Sequence, residues 1–283
     1  MREAVFVSLV IIFSSGYSSP LSRDPIRIPG TVLISNTVSM RQTEVTVDDW
    51  IEFVVANNFN PSLYPEDNAI TDCWTRALFN DLRRQSNFQH FDDQRRALVK
   101  KGNGRSLFLK RDALFDSLRK IEIPPINSPI TGITYEQALK FCKWTEDNIN
   151  KSRSEDKMVK IELPSMEIYK KIITNVDSVS KASHNSCRIF TFNYKHPPCS
   201  DKDIYVSLQG QSLIRADSYW PTSLGLYGIQ GNAAEMTSTK GVAMGGSFRH
   251  YAKQSTNDEI QSYSGPEDWL GFRYIATLYS SIK

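Results

Sequence analysis

The stretch "GLYGIQGNAAEMT", residues 225–237, decides how the rest of this chain is read. Gly225, Gly228 and Gly231 permit left-handed backbone and close approach of neighbouring chain. Asn-Ala-Ala-Glu follows, and Glu235 sets one carboxylate beside turn carbonyls. Hard cations such as Ca²⁺ favour that mixture of carbonyl and carboxylate oxygens. The competing use of Glu235 is internal: a carboxylate held by backbone amides, or paired with an arginine such as Arg273.

Working outward, the flanks place this stretch in an α+β domain. Residues 26–45 alternate apolar and polar side chains and predict one or two strands. Thr46 then caps a helix, "VDDWIEFVVAN", with carboxylates in its first turn. Residues 58–127 are rich in Asn, Arg, Asp and Lys, with helical patterns such as "CWTRALFNDLRRQ" and "RDALFDSLRKI"; they read as a helical insertion or divergent region. Thr134 caps "YEQALKFCKWTEDNI", whose spacing turns Ala138, Phe141, Cys142 and Trp144 toward a core. A short strand runs into Leu163-Pro164, and Ser165 caps a helix carrying Ile168, Tyr169 and Ile172. After about residue 186 the helical signal disappears. Short β-rich runs such as "GVAMGGSF" and "WLGFRYIATLY" alternate with long loops. Loops that long in a compact domain are usually tied down by metals, disulfides or function.

The first residues, "MREAVFVSLVIIFSSGYSS", carry a charged start, an apolar run from Ala4 to Phe13 and then small residues. The run is too short to span a bilayer and predicts a cleaved signal peptide over 1–19, so the mature chain is expected to be exported. A buried first strand is the alternative. The net charge of +3 among 23% charged residues argues against nucleic acid as a partner. The four cysteines are Cys73, Cys142, Cys187 and Cys199. In an exported protein they permit three pairings. Cys187 and Cys199 bracket the polar loop "CRIFTFNYKHPPC" and are the expected local disulfide. Cys142 reads as a small buried apolar residue.

Six segments together resemble the formylglycine-generating enzyme, or sulfatase-modifying factor, family. They are "QTEVTVDDWIEFV", "ITGITYEQALKFCKW", "IELPSMEIYKKI", "GLYGIQGNAAEMT", "GGSF" and "GFRYI", in the family's order over about residues 28–279. The resemblance implies a single irregular domain, C-type-lectin-related, over residues 20–283. It also implies two calcium sites. One would use the side chains of Asp203 and Asp217 with the carbonyls of Ile204 and Tyr219. The other would use the position of Gly228, the carbonyls of Gly231 and Ala233, and Glu235. The family has Asn or Asp where Gly228 stands, so one ligand oxygen is missing. Ala234 and Met236 replace family aromatics.

The family's oxidase activity requires two cysteines after the "GGS" turn. They hold Cu(I), for which soft thiolates are the fitting ligands. Here no cysteine follows Cys199, and by count from the glycines His250 and Ser255 stand in those places. No copper is therefore expected, and the three-histidine iron branch is excluded because His90, His184, His196 and His250 form no matching cluster. The expected function is an exported, non-catalytic module that binds a protein or glycan ligand or serves as an envelope subunit of the gliding or secretion type. Its contact loop would span 249–270, with His250, Tyr251, Ser255, Tyr263 and Trp269 as contact residues, a composition suited to binding loops. The alternative is an enzyme of altered chemistry acting on a secreted protein or peptide.

Overall fold

The computed structural model describes residues 28–70, 73–86, 126–174, 192–195, 212–256 and 259–278. The signal-peptide segment, Asp203 and Ile204, and the Cys187–Cys199 pair lie outside them. The chain forms an α+β fold built on two small sheets.

The first sheet has the order β1-β2-β8-β3, every neighbouring pair antiparallel. Its strands are β1 (Thr31–Leu33), β2 (Val38–Arg41), β3 (Val159–Glu162) and β8 (Ile275–Leu278). The second, β6-β5-β4-β7, joins β4 (Ala234–Met236), β5 (Val242–Met244), β6 (Gln261–Ser262) and β7 (Leu270–Gly271). Only β4 and β7 run parallel. Among the described residues the α-helices are α1 (Val47–Ala56), α2 (Cys73–Ser86), α3 (Tyr135–Asn150) and α4 (Met166–Thr174).

Strand alternation splits the core in two. Ala276 turns toward the α1/α3 side and joins Val159, Ile161, Trp50, Phe53, Phe141 and Phe272. Its neighbour Ile275 faces the other way, with Met40, Tyr169, Ile172, Leu226, Ile229 and Met244. The centre of the larger cluster is aromatic: Trp50 stacks on Phe141 at 5.6 Å, and Phe272 meets both rings edge-on. The Trp50 indole N–H is satisfied by the Leu63 carbonyl at 2.9 Å. Leu63, Tyr64, Ile70, Phe79 and Leu82 share this cluster. The first part of the 58–127 region thus contributes to the main core, and its first predicted helix is α2.

Thr46 and Thr134 both close capping boxes, as their spacing predicts. At α1 the Thr46 Oγ1 accepts from the Asp49 amide and donates to Asp49 Oδ2 at 2.6 Å, while Arg41 holds the same carboxylate at 2.6 Å. Replacing Thr46 by Ala removes the cap and is expected to cost about 1 kcal/mol. A urea titration showing no shift in midpoint would reject that role. Cys142 is buried and unpaired, and burial drives its thiol well above the ordinary range. No helix among the described residues is long and apolar enough to cross a membrane.

Candidate functional site

The 225–237 stretch runs from a turn into β4, and its polar side chains point inward. Asn232 adopts φ +61°, a left-handed conformation that Asn tolerates better than most residues. There its amide knits four segments together. Nδ2 donates to Glu44 Oε1 at 3.1 Å and to the Ile214 carbonyl. Oδ1 accepts from the Ile214 amide and from Asn193 Nδ2.

The Glu235 carboxylate pairs with Arg273. Arg273 Nε lies 2.8 and 2.7 Å from the two carboxylate oxygens, and Nη2 lies 2.6 Å from Oε1. The remaining donors reach the Tyr227, Arg41 and Gln42 carbonyls. One fully buried guanidinium therefore ties β2's end, the glycine turn and β4 to the strand-leading segment before β8. Both Glu235 and Arg273 are essentially without solvent contact.

A second carboxylate, Glu44, shares this buried space. Its Oε2 sits 3.9 Å from Arg273 Nη2 and has no hydrogen-bond partner. Burial pushes the Glu44 carboxyl up to about 8, against the opposing pull of Arg273. Burial likewise raises Glu235, with Arg273 acting the other way. Gly228, at φ +56°, explains how Glu44 fits: a Cβ there would stand 2.7 Å from both Glu44 oxygens. Glu44 thus fills the room that a side chain at position 228 would use.

The donor set here does not fit a hard cation, because Arg273 bonds both Glu235 oxygens and stands 3.9 Å from Glu44. Two carboxylates face one guanidinium, one buried carboxylate oxygen is unpartnered, and the space left by Gly228 is lined by oxygen. At the other implied site, Asp217 forms a bidentate pair with Arg215 at 3.0 Å, which lowers its carboxyl. Tyr219 lies two residues on, its phenol raised by burial and by neighbouring Tyr194. Among the described residues no group of three or more His, Cys, Asp or Glu side chains is arranged around a common metal position.

The contact-loop residues divide between surface and interior. Ser255 is fully buried and its Oγ has no hydrogen-bond partner. It lies directly under Gly246, where any side chain would collide with it. His250 is half-buried: Nδ1 bonds Ser247 Oγ at 2.7 Å, and the ring meets Trp269 edge-on at 4.9 Å. Burial lowers the His250 imidazole, keeping it neutral near pH 7. Ser247 Oγ also accepts from the Arg249 amide and is wholly buried, so it is held as a turn hydroxyl. Trp269 and Tyr263 pack partly against the main core. Tyr251 is 40% exposed and carries Lys195 over its ring at 5.0 Å. A bridge between residues 195 and 251 fixes that pair.

Three features escaped the sequence reading: Glu44, the Asn232 hub, and Trp220, which is 95% exposed. Glu44 leaves one trace, a carboxylate between the buried Met40 and the buried Val45 and Val47. Trp220 is flanked by Tyr219 and Pro221, and nothing in that local pattern separates a surface indole from a core one.

A structural comparison places the chain beside solved proteins. Treponema denticola variable protein 1 is 16% identical, with 53% of this chain and 71% of that one covered, at a TM-score of 0.38. PvdO from Pseudomonas aeruginosa is 13% identical, covering 54% and 63%, at 0.38. CarF is 14% identical, covering 86% and 87%, at 0.47. No curated protein matches the chain by sequence. The sulfatase-modifying factor enzyme 1-like domain model matches residues 22–278. That match spans nearly the whole chain, in agreement with the six ordered segments, and the chain belongs to this family.

Proposed function

We propose that this chain is an exported module on the sulfatase-modifying-factor scaffold, acting by binding a protein or glycan ligand and not by thiol-dependent oxidation. The observation that carries the reading is the state of the two positions where the family's copper thiols stand. Ser255 is sealed beneath Gly246, and His250 is tied to Ser247 and covered by Trp269. A hydroxyl and a neutral imidazole do not reproduce a two-thiolate Cu(I) site. The adjoining surface instead presents Tyr251 with Lys195 and Tyr194 beside Phe192 at 4.7 Å, and the exposed Trp220 follows Tyr219, which interacts with Tyr194. Large rigid aromatics with a polar tip are the residues that anchor binding surfaces.

The test is a screen of the full chain against a glycan array and against envelope proteins. Tyr251→Ala and Trp220→Ala should each keep the wild-type melting temperature and weaken binding at least tenfold. Unchanged affinity in both would reject this surface. Trp269→Ala is the wrong probe, because it uncovers the core. Copper or iron copurifying in stoichiometric amount, or a free thiol at Cys187 and Cys199, would favour the enzyme of altered chemistry.

A further inference from the structure

We infer, building on the binding role proposed above, that the face around Tyr251 takes an oligosaccharide bearing carboxylates, with aromatic rings stacking on the sugars and Lys195 pairing with an acid group. The segment at 192–195 is the spine of this face. The Lys195 amide donates to the His250 carbonyl at 2.8 Å, and a bridge pairs residues 195 and 251. Asn193 is buried and donates through Nδ2 to the Ser212 carbonyl at 2.9 Å. The segment therefore joins Tyr251 to the loop at 212–220. Tyr194, between Asn193 and Lys195, lies 4.7 Å from the Phe192 ring and acts on the Tyr219 phenol. Trp220 comes next in the chain and is 95% exposed.

The surroundings of these rings favour a sugar over a protein. Protein interfaces are built on a dry apolar core. Here the exposed residues at 212–221 are Ser212, Arg215, Asp217, Ser218, Trp220 and Pro221, with no aliphatic side chain beyond the proline ring. Aromatic faces set among hydrogen-bonding groups match a pyranose, which offers C–H bonds to the negative face of a ring and hydroxyls around its rim. Charge then selects an acidic sugar. Arg249 is paired with Asp268, and Arg215 with Asp217. Among the described residues no carboxylate forms an ion pair with the exposed Lys195. Its ammonium is held 5.0 Å from the Tyr251 ring centroid. That contact fixes the charge in place without consuming its N–H donors. A positioned ammonium with open donors beside stacking rings is suited to a carboxylate carried on a sugar ring.

The experiment titrates the full chain by calorimetry with tetrasaccharides of galacturonic, glucuronic and mannuronic acid. Each is matched by the same tetrasaccharide with its carboxylates reduced to primary alcohols, and polyglutamate serves as an acidic peptide. At least one acidic sugar should bind about fivefold more tightly than its reduced partner. Raising the salt from about 0.05 to about 0.5 M should shrink that preference. Lys195→Gln should bring the ratio of the two affinities to about one and leave binding of the reduced sugar unchanged. Lys195→Arg, which keeps the charge, should keep the preference. Both variants should melt with the wild type, because the bond to His250 uses the backbone of Lys195. Trp220→Ala should weaken the acidic and reduced sugars alike. Equal binding of the two sugars in the wild type, or a preference that survives Lys195→Gln, overturns the acid selection and leaves the binding role standing. Polyglutamate bound more tightly than every sugar overturns the proposal in favour of an acidic protein partner. No acidic sugar bound overturns it outright, and the binding role falls with it only if Tyr251→Ala and Trp220→Ala also leave every interaction found in the wider screen unchanged.

Discussion

Replacing Arg273 with Met is expected to destabilise the protein by about 3–5 kcal/mol, the cost of leaving a buried charge without its partner. The substitution strands Glu235 and Glu44 together in a space without solvent. It also removes a donor from each of the Arg41, Gln42 and Tyr227 carbonyls. Against a total stability of about 5–15 kcal/mol, such a loss unfolds much of the population. Arg273→Lys should fall most of the way to the same result. A three-donor ammonium on a flexible stem cannot span one carboxylate and three carbonyls from a single plane. Denaturant midpoints measure the effect. If charge isolation is the cause, adding Glu44→Gln and Glu235→Gln to Arg273→Met should recover part of the loss, a coupling that independent sites would not show. A destabilisation under about 1 kcal/mol for Arg273→Met would mean the network is not the hub described here.

The second large effect is a pH dependence centred on Glu44. Stability should decline as pH rises from about 4.5 to about 8, the interval between the carboxyl's ordinary value and its folded one. Below that interval Glu44 is protonated folded and unfolded, and its contribution is fully present. Above it the folded protein must carry a buried anion that the unfolded chain carries in water, and the contribution is lost. The slope approaches about 1.4 kcal/mol per pH unit for one group. Glu44→Gln should flatten this part of the curve, and a Glu44→Gln profile parallel to the wild type would refute the assignment.

Much of the architecture is legible in the sequence because local rules act there without competition. Thr46 and Thr134 each stand three residues before a polar side chain that closes a capping box, and both helices start where that pattern puts them. The alternation of Ile275 and Ala276 divides two cores as strand geometry requires. The site is less legible because its geometry is made at long range. Glu44 meets Asn232 across 188 positions, and Arg273 meets Gln42 across 231. The sequence left Glu235 three possible partners, a cation, backbone amides or an arginine such as Arg273, and the folded arrangement pairs it with Arg273. Ser255 and Trp269 were read as contact residues of the 249–270 loop, yet Ser255 is buried and Trp269 packs inward, because polar composition does not report which side of a loop faces the core. Trp220 shows the converse: an indole in full solvent exposure is the residue type that composition assigns to an interior.

The central claim is that this chain works by contact through the Tyr251 face. The most direct measurement places a photo-crosslinking phenylalanine analogue at Tyr251 in the native cell, with the same analogue at Leu139, which is exposed on α3, as control. The account predicts a defined adduct from position 251, absent from position 139 and lost when Trp220→Ala is added. No adduct from position 251, or the same adducts from both positions, would contradict it.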